Sequence, residues 1–481
     1  MIFNSIDFAI FLPVVFILYW FLINKSLKLQ NLLIVVASYV FYGWWDWRFL
    51  SLILFSTVVD YLIGVKLLKE ENQLKRKVLL SLSITVNLGF LGLFKYYDFF
   101  LENFILAFSL FGHEISANSL NIILPVGISF YTFQTLSYSI DVYKRKLEPT
   151  RDFIVFSAFV SFFPQLVAGP IERATNLLPQ FQKNRIFNKN LATDGIKQIL
   201  WGLFKKVVIA DNCASFCNEI FNDYSSYNGS TLVIGAILFS FQIYGDFSGY
   251  SDIAIGVSKL FGFKLKQNFS YPYFSRDIAE FWRRWHISLT TWFRDYLYIP
   301  LGGSRVSKAV IIRNVLIVFF ISGFWHGANW TFIFWGVFNG LLFLPLIIQN
   351  KNRRHIDNVS SNFYFFPSIK DFFSILLTFT LVTFCWIFFR AESITNAFHY
   401  IFGIFNNTLF TPPLITFKLV LLSLLIFYML TIEWLGRFSE HPLQNLFRTR
   451  NLIFKTSVYV LTLIFTIWFA GKQQDFIYFQ F

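Results

Sequence analysis

Long runs of apolar residues recur along most of the chain and are separated by short polar stretches. A helix of about 20 mostly apolar residues crosses the hydrocarbon core of a bilayer, and these runs predict about ten to twelve crossings. A chain in lipid must satisfy its own backbone hydrogen bonds, so the runs predict helices rather than open strands. The predicted spans are Phe8–Ile23, Leu32–Trp45, Phe49–Leu67, Val78–Leu93, Leu120–Ile140, Gly195–Ile220, Leu232–Val257, Val310–Ile321, Thr331–Ile348, Phe372–Phe389, Leu419–Ile432 and Thr456–Ala470.

Two hydrophobic segments lack the pattern of an ordinary helix. Phe162–Leu178 contains two prolines and a glycine, and Leu124–Asp141 opens with the letters LPVGISF. Irregular backbone at membrane depth is tolerated only where protein covers it or where it lines a wet cavity. Both segments therefore predict a hollow interior.

The composition is typical of an integral membrane protein. Of the 481 residues, 56% are hydrophobic and 14% are charged, whereas about a quarter of the residues in a soluble domain are charged. No linker rich in Pro, Gly or Ser and no repeat of about 20–50 residues divides the sequence. We expect an all-α, polytopic protein with a single membrane domain over residues 1–481.

The basic residues predict the orientation in the membrane, because cytoplasmic loops are enriched in Lys and Arg. Asn218–Ser230 and Glu392–Pro413 contain almost none, so we expect the first residues and the Asn218–Ser230 loop outside the cytoplasm. The net charge of +14 is explained by this topology and by anionic lipid, without nucleic acid. A second interpretation is a basic surface that receives a phosphate-bearing cytosolic donor. The basic connections are Lys25/Lys28, Lys69 with Lys75–Lys77, Lys144–Lys146, Lys259–Arg313 and Lys351–Arg354.

Three cysteines offer neither a disulfide framework nor metal-ligand spacing. Cys213 and Cys217 lie one helical turn apart in an apolar run, and Cys385 is alone. We expect all three in the core, and we expect no metal and no bound cofactor.

The densest charge lies in the block Phe281–Gly303, with the letters FWRRWHISLTTWFRDYLYIPLGG. Its spacing predicts one amphipathic helix over Phe281–Tyr296, with Arg284 on the polar side and His286 at the edge of the apolar side. A single histidine in that position is more often a satisfied core residue than a catalyst. The arginines of this block fit a solvated or headgroup-facing surface as well as a donor-binding surface.

His326, in the stretch SGFWHGANW, is the stronger candidate for chemistry. If Arg313 lies near the cytoplasmic interface, the helix carries His326 roughly 20 Å inward, at about 1.5 Å per residue. An ionisable group at that depth indicates a functional site. Gly323 and Gly327 permit a broken helix and close approach of a ligand. The alternative is a histidine that bonds a carbonyl and only joins two helices.

Polar residues also interrupt the predicted span Leu232–Val257. Carboxylates within a membrane must be paired or hydrated, so Asp246 and Asp252 are expected to pair with the arginines of the charged block. Organising a cavity is the favoured role of this group. The interrupting residues are Gln242, Asp246, Ser248, Ser251 and Asp252.

These motifs together resemble the membrane-bound O-acyltransferases, in particular the bacterial branch that contains the alginate O-acetyltransferase membrane subunit. Further matching stretches occur in order along nearly the whole chain, including SYVFYGWWDWRFL, FFPQLVAGPIERA, DFSGYSDIAIG and WIFFRAES. The resemblance implies a ring of about ten to twelve transmembrane helices, with re-entrant and interfacial helices, around a central tunnel.

The resemblance also implies an enzyme of exopolysaccharide acetylation in the cytoplasmic (inner) membrane, with His326 as catalytic residue and His286 beside it. Its donor would be acetyl-CoA, and a periplasmic or cell-surface partner protein would deliver the acetyl group to a polysaccharide. His326 would act as general base or as a relay to an acyl intermediate. The candidate residues for the tunnel and for cytoplasmic charge are Trp325, Asn329, Arg283, Arg284, Arg294 and Asp295.

Several alternatives remain at this point. Related proteins acetylate peptidoglycan or pass D-alanine towards teichoic acid. The sequence contains no recognisable Ser-His-Asp triad or acyl-carrying cysteine, so nothing in it favours a stable covalent intermediate. A polysaccharide or ion transporter would also place charge in broken helices, although it should show inverted repeats. A structural scaffold has no need of His326.

Overall fold

The computed structural model describes residues 1–113, 115, 119–120, 123–356, 366–445 and 452–479. Within these ranges, all regular secondary structure is helical, which confirms the predicted all-α class. In chain order the helices are α1 (Ile6–Ile17), α2 (Leu27–Gly43), α3 (Leu50–Lys69), α4 (Gln73–Leu91), α5 (Tyr97–Leu110), α6 (Ile128–Tyr143), α7 (Phe153–Ser161), α8 (Phe163–Leu166), α9 (Ala174–Phe181), α10 (Lys189–Leu203), α11 (Asp211–Asn222), α12 (Gly229–Leu260), α13 (Ile278–Arg284), α14 (Ile287–Phe293), α15 (Lys308–His326), α16 (Trp330–Ile348), α17 (Ile369–Arg390), α18 (Ile394–Ile404), α19 (Phe417–Gly436) and α20 (Leu452–Trp468).

Many of these helices are long and apolar enough to cross a membrane, so the protein is a multi-pass membrane protein. Among the described residues, seven helical stretches meet this criterion, and four shorter apolar helices accompany them. The predicted count of about ten to twelve crossings would be reached only if the shorter apolar helices also cross the membrane. The number of crossings, the ring of helices and the central tunnel stay predictions. The seven stretches are Trp47–Lys69, Gln73–Leu110, Gly229–Leu260, Lys308–His326, Trp330–Ile348, Ile369–Arg390 and Phe417–Gly436.

The chain forms two compact units. The first consists of Met1–Thr193 with Val257–Lys266, and the second consists of Asp194–Gly256 with Gln267–Phe481. The expectation of a single membrane domain stays a prediction.

In the first unit, the two segments predicted to be irregular do depart from regular helices. Gly127 has a φ of 76°, and α6 begins only after it at Ile128. The predicted span Leu120–Ile140 therefore has a shorter helical part, and its residues 121–122 lie outside the described ranges. Between α8 and α9 the backbone is irregular, and nearly every side chain of Phe162–Leu178 is buried. This segment is packed in protein, and the large cavity described below has other residues in its walls.

In the second unit, the predicted span Gly195–Ile220 is helical throughout but carries buried charge. A π-helical turn at Phe204–Ala210 connects α10 to α11 without a break. Lys205, Lys206 and Asp211 are all buried there. Such turns occur often near functional sites.

Candidate active site

His326 is the last residue of α15, and α16 begins at Trp330. The two helices pack closely, because a Cβ atom on Gly336 would lie only 3.0 Å from the Cα atom of Gly323. The Oδ1 atom of Asn329 caps α16 by accepting the Thr331 N–H at 2.9 Å. The break predicted at His326 is present, and close helix packing fixes where its ring lies.

His286 lies between two short helices. α13 ends at Arg284, α14 begins at Ile287, and the His286 backbone is left-handed with φ 45° and ψ 53°. The prediction of one amphipathic helix over Phe281–Tyr296 is therefore wrong. Left-handed backbone costs a non-glycine residue about 1–2 kcal/mol, so the surrounding structure must stabilise this break.

Asn268 provides that stabilisation. It is fully buried, its backbone carbonyl accepts the Ile287 N–H at 2.8 Å, and its Oδ1 atom accepts the Ser288 hydroxyl at 2.9 Å. Its Nδ2 atom donates to the Ser251 hydroxyl on α12 at 3.0 Å. Asn268 thus ties the first turn of α14 to α12 and orients His286.

The two histidines lie side by side. Their ring centroids are 6.5 Å apart, and the side chains are 1% (His286) and 3% (His326) exposed. Trp325 packs against both imidazoles, with centroid distances of 5.9 Å to His286 and 5.0 Å to His326. Trp335 and Phe389 also pack on His326, at 5.0 and 5.4 Å. Two imidazoles in a mostly aromatic, water-poor setting are suited to moving a proton.

Burial determines the protonation of His286, which lies outside the seven long apolar helices. The loss of solvent lowers the pKa of this imidazole to about 3. His286 is therefore neutral at physiological pH and can accept a hydrogen bond on one ring nitrogen while donating from the other.

A cavity of about 920 Å³ reaches both histidines. Its inner wall includes His286 and His326, and its outer wall includes the exposed basic residues Arg294, Lys308 and Arg353. This is the size range of pockets that hold small organic ligands. The cavity therefore connects a positively charged rim with a buried pair of imidazoles.

Two of the predicted arginines line this cavity, in different ways. The guanidinium of Arg283 donates hydrogen bonds to the carbonyl oxygens of Asn352 at 2.9 Å and His355 at 3.0 Å. Arg283 therefore stabilises the position of the loop that follows α16. Arg294 is largely exposed and forms an ion pair with Asp295 at 2.7 Å. Arg294 is thus the more accessible of the two to an anionic ligand.

The other predicted site residues lie outside the lining of the cavity. Arg284 pairs at 2.9 Å with Glu280, a fully buried carboxylate on α13. Trp325 contacts the imidazoles from the side, and Asp295 contacts Arg294. Asn329 donates to the Glu392 carbonyl at 3.1 Å in an exposed position. These contacts fit support of the site better than contact with a substrate.

The acidic residues of α12 lie in the predicted span, which is one continuous helix over Gly229–Leu260. Their partners differ from the prediction. They do not pair with the arginines of the charged block, because Asp246 lies 2.8 Å from the Lys206 ammonium and Asp252 lies 2.6 Å from that of Lys205. Both lysines belong to the π-helical turn Phe204–Ala210, whereas both aspartates belong to α12. An ion pair between two separate elements cannot be predicted from the local sequence pattern of either one.

One residue that sequence reasoning missed is Tyr478. Its ring lies 5.6 Å from that of His326 and 6.4 Å from that of His286. The only signal in the sequence is a tyrosine among aromatic residues after the last apolar run. The structure thus adds a phenol to the pair of imidazoles.

Comparison with known proteins gives a family match and several similarities that cover most of the chain. The model of the membrane-bound O-acyltransferase family matches residues 149–368, a range that includes both histidines and the whole charged block.

Individual relatives extend the match beyond this range. The chain is 34% identical to the peptidoglycan O-acetyltransferase of Helicobacter pylori, over 98% of this chain and 95% of that protein. It is 37% identical to the probable alginate O-acetylase AlgI of Pseudomonas aeruginosa, over 92% of this chain and 84% of that protein. A shorter similarity, 31% over 45% of this chain and 55% of the relative, connects it with the teichoic acid D-alanyltransferase of Streptococcus thermophilus.

Proposed function

Because this chain belongs to the membrane-bound O-acyltransferase family, we propose that it transfers an acetyl group from cytosolic acetyl-CoA through the membrane to a hydroxyl group of an extracellular or periplasmic polysaccharide. The observation that carries the proposal is the cavity that joins an exposed basic rim to the imidazoles of His286 and His326. The names of the relatives support acetyl as the group and a cell-envelope polymer as the acceptor.

His326 acts as the general base in this proposal. Its imidazole takes the proton of the acceptor hydroxyl while the hydroxyl oxygen attacks the thioester carbonyl. A C–O bond forms, the C–S bond breaks, and the proton passes to the departing thiolate. A positioned base contributes about 10²–10⁴-fold to such a step. His286, neutral at physiological pH, orients His326 or the acceptor.

The basic rim serves the donor. Arg294, Lys308 and Arg353 place positive charge at the outer end of the cavity, where the phosphates of acetyl-CoA would bind while the thioester reaches inward. This arrangement favours the cytoplasm on the rim side, in agreement with the enrichment of basic residues in cytoplasmic loops. The protein then lies in the cytoplasmic (inner) membrane, and a periplasmic or cell-surface partner protein receives the acetyl group.

Peptidoglycan is the second candidate acceptor. The Helicobacter pylori relative with that name matches over almost the entire chain, so the match does not favour alginate-like glycans alone. Base-labile acetate, measured separately in purified peptidoglycan and in secreted polysaccharide from cells with and without this protein, decides between them. Transfer of D-alanine has weaker support, because that similarity covers less than half of the chain.

A covalent route is the alternative to direct attack. The Tyr478 ring packs against both imidazoles. In this route the Tyr478 hydroxyl would give its proton to an imidazole and attack the thioester carbonyl, the C–S bond would break, and the proton would pass to the departing thiolate. Tyr478→Phe removes that hydroxyl and keeps the ring. Under direct attack the variant transfers acetyl normally; under the covalent route transfer stops, and an acetylated peptide containing Tyr478 appears only in the wild-type protein.

The decisive experiment compares two buried histidines. His326→Ala should lower acetyl-CoA-dependent acetylation by at least about 100-fold. His441→Ala is the matched control. His441 is equally buried, its ring lies 3.0 Å from the Asp194 carboxylate, and neither residue lines the cavity. Equal losses in both variants at equal melting temperatures would contradict the proposal. Polysaccharide flux through proteoliposomes without an acyl donor would favour a transporter instead.

A further inference from the structure

Three charged side chains form a buried cluster beside the π-helical turn Phe204–Ala210. The Lys206 ammonium lies 2.9 Å from a carboxylate oxygen of Asp211 and 2.8 Å from one of Asp246, and all three side chains are at most 4% exposed. Buried charges are costly unless they are paired and hydrogen-bonded. We call this cluster the anchor.

The anchor bonds the segment Gly471–Tyr478, which follows α20. The third donor of the Lys206 ammonium goes to the Gln474 carbonyl at 3.1 Å. The second carboxylate oxygen of Asp246 accepts the Ile477 N–H at 2.7 Å. The anchor therefore bonds the backbone of this segment through both Lys206 and Asp246.

The start of the segment is held at a second place nearby. The Gly471 N–H donates to the Val207 carbonyl at 2.7 Å, and the Asn212 amide donates to the Phe469 carbonyl at 2.9 Å. A Cβ atom on Gly471 would lie 2.8 Å from the Asn212 nitrogen and 2.9 Å from the Asp211 carbonyl carbon. Only glycine fits against this backbone without displacement.

The other end of the segment reaches the histidines. Phe476 packs on Tyr250 at a centroid distance of 4.8 Å, and Tyr478 packs on Phe247 at 4.4 Å. From there the Tyr478 ring contacts both imidazoles. Residues 471–476 have no regular secondary structure. Their position therefore depends on the hydrogen bonds and ring contacts just described, and no helix of their own stabilises it.

We propose that Lys206, Asp211 and Asp246 are positioning residues: the anchor fixes the segment Gly471–Tyr478 so that the Tyr478 ring packs against the imidazoles of His286 and His326. The inference rests on the proposed acyl transfer for its functional part, and its structural part is independent of it. The anchor acts through the segment and does not contact the cavity.

Neighbouring lysines supply a matched test. Lys205 is as buried as Lys206, belongs to the same turn and has the same kind of partner, but it bonds Asp252 and Ser248 on α12. Lys205→Met leaves the carboxylate of Asp252 without its cation, and Lys206→Met does the same to the carboxylates of Asp211 and Asp246. We expect hydrogen exchange of the Gly471–Tyr478 backbone to rise by at least about tenfold in Lys206→Met and to stay near wild type in Lys205→Met.

Catalysis provides the readout that simple destabilisation would not produce. In Lys206→Met the kcat for acetyl transfer should fall by about tenfold or more while the KM for acetyl-CoA stays within about twofold, because the basic rim is untouched. Lys205→Met should show less change in kcat at a similar melting temperature.

Gly471→Ala displaces the segment without touching any charge, in case Lys206→Met does not fold. It should reproduce the faster exchange and the fall in kcat. Gly89→Ala is its control, since a Cβ atom there meets nothing within 4 Å.

The proposal is overturned if Gly471→Ala leaves hydrogen exchange of the segment unchanged, or if it raises that exchange while kcat stays at the wild-type value. It is also overturned if Lys205→Met raises exchange of the segment as much as Lys206→Met does. If the wild-type protein transfers no acetyl group, the proposed function fails, and the exchange data still decide whether the anchor holds the segment.

Discussion

His286 and His326 share an aromatic setting, but their positions are fixed in different ways. His326 is carried by the end of a long helix, whereas His286 occupies a strained backbone position that Asn268 stabilises. A strained residue persists only where its surroundings over-determine it, and such residues cluster at active sites. The geometry is consistent with a preorganised pair in which neither ring needs to move before proton transfer.

The low pKa of His286 predicts a specific dependence of stability on pH. Burial lowers its pKa to about 3 in the folded protein, whereas an unfolded histidine titrates near pH 6.5. The unfolded chain therefore binds the proton first, and folded stability falls as pH drops from about 6.5 towards 3, by at most about 1.4 kcal/mol per unit.

Thermal melting in detergent at several pH values tests this dependence. His286→Gln removes the titrating group, so the stability difference between wild type and variant should shrink as the solution is acidified. A difference that stays constant between pH 7 and pH 4 would show that His286 is already accessible to protons in the fold.

Individual residues differed in how far the sequence revealed them. The sequence singled out His326 as a candidate because it lies between glycines at the end of a long apolar run. The sequence did not single out Asn268 or Tyr478. Asn268 acts through backbone and side-chain hydrogen bonds to residues 19 and 20 positions away, and Tyr478 reaches the histidines through a segment bonded by side chains distant in the sequence.

At the scale of elements, apolar runs located the long helices, whereas helical periodicity missed the break at His286. The block Phe281–Tyr296 has helical spacing and contains no Pro or Gly, so local propensity alone predicts one helix. Tertiary bonds from Asn268 overcome that propensity. The lysine partners of Asp246 and Asp252 were likewise set by how α12 packs beside the π-helical turn, which no local pattern encodes.

The packing of α15 against α16 predicts unequal effects of two glycine substitutions. A Cβ atom on Gly336 meets backbone, including the Gly323 Cα atom at 3.0 Å. One on Gly340 stays 3.2 Å from its nearest neighbours, Leu316 Cδ2 and Phe319 Cβ, so a smaller adjustment is enough. Gly336→Ala should lower stability by about 1–3 kcal/mol, and Gly340→Ala should stay near neutral because alanine favours helix by about 1 kcal/mol.

Denaturation of the two variants measures this contrast, and acetyl transfer shows whether displacement reaches the active site. Gly336→Ala should also lose activity, because the helix that ends at His326 moves. Similar stability and activity of both alanine variants would mean that the two helices separate without cost.

At the scale of the whole molecule, composition and apolar runs were enough to predict a multi-pass, all-helical membrane protein. The cavity was not predictable in detail, because its walls combine residues from the charged block, α15, α16 and the loop after α16. The two irregular segments that predicted a hollow interior, Phe162–Leu178 and Leu124–Asp141, contribute no residue to the walls of this cavity.

The proposed binding of the donor at the basic rim predicts a KM for acetyl-CoA that depends on rim charge and on salt. Arg353→Gln removes an exposed charge at the outer end of the cavity and should raise the KM for acetyl-CoA by up to about fivefold, with kcat unchanged. Screening by added salt should reduce the difference between variant and wild type. Lys25→Gln, at an exposed position in the first unit, is the control, and an equal rise in KM there would contradict a local role for the rim.

The indole rings around the cavity make its occupancy observable by light. Trp282 lies in the cavity wall and Trp325 touches both imidazoles, and indole emission responds to polarity and to quenching by neighbouring groups. A non-hydrolysable thioester analogue that enters the cavity would shift this emission without any attached dye. Subtracting the spectra of Trp282→Phe and Trp325→Phe from that of the full set of 14 tryptophans would then report the surroundings of the two indoles separately.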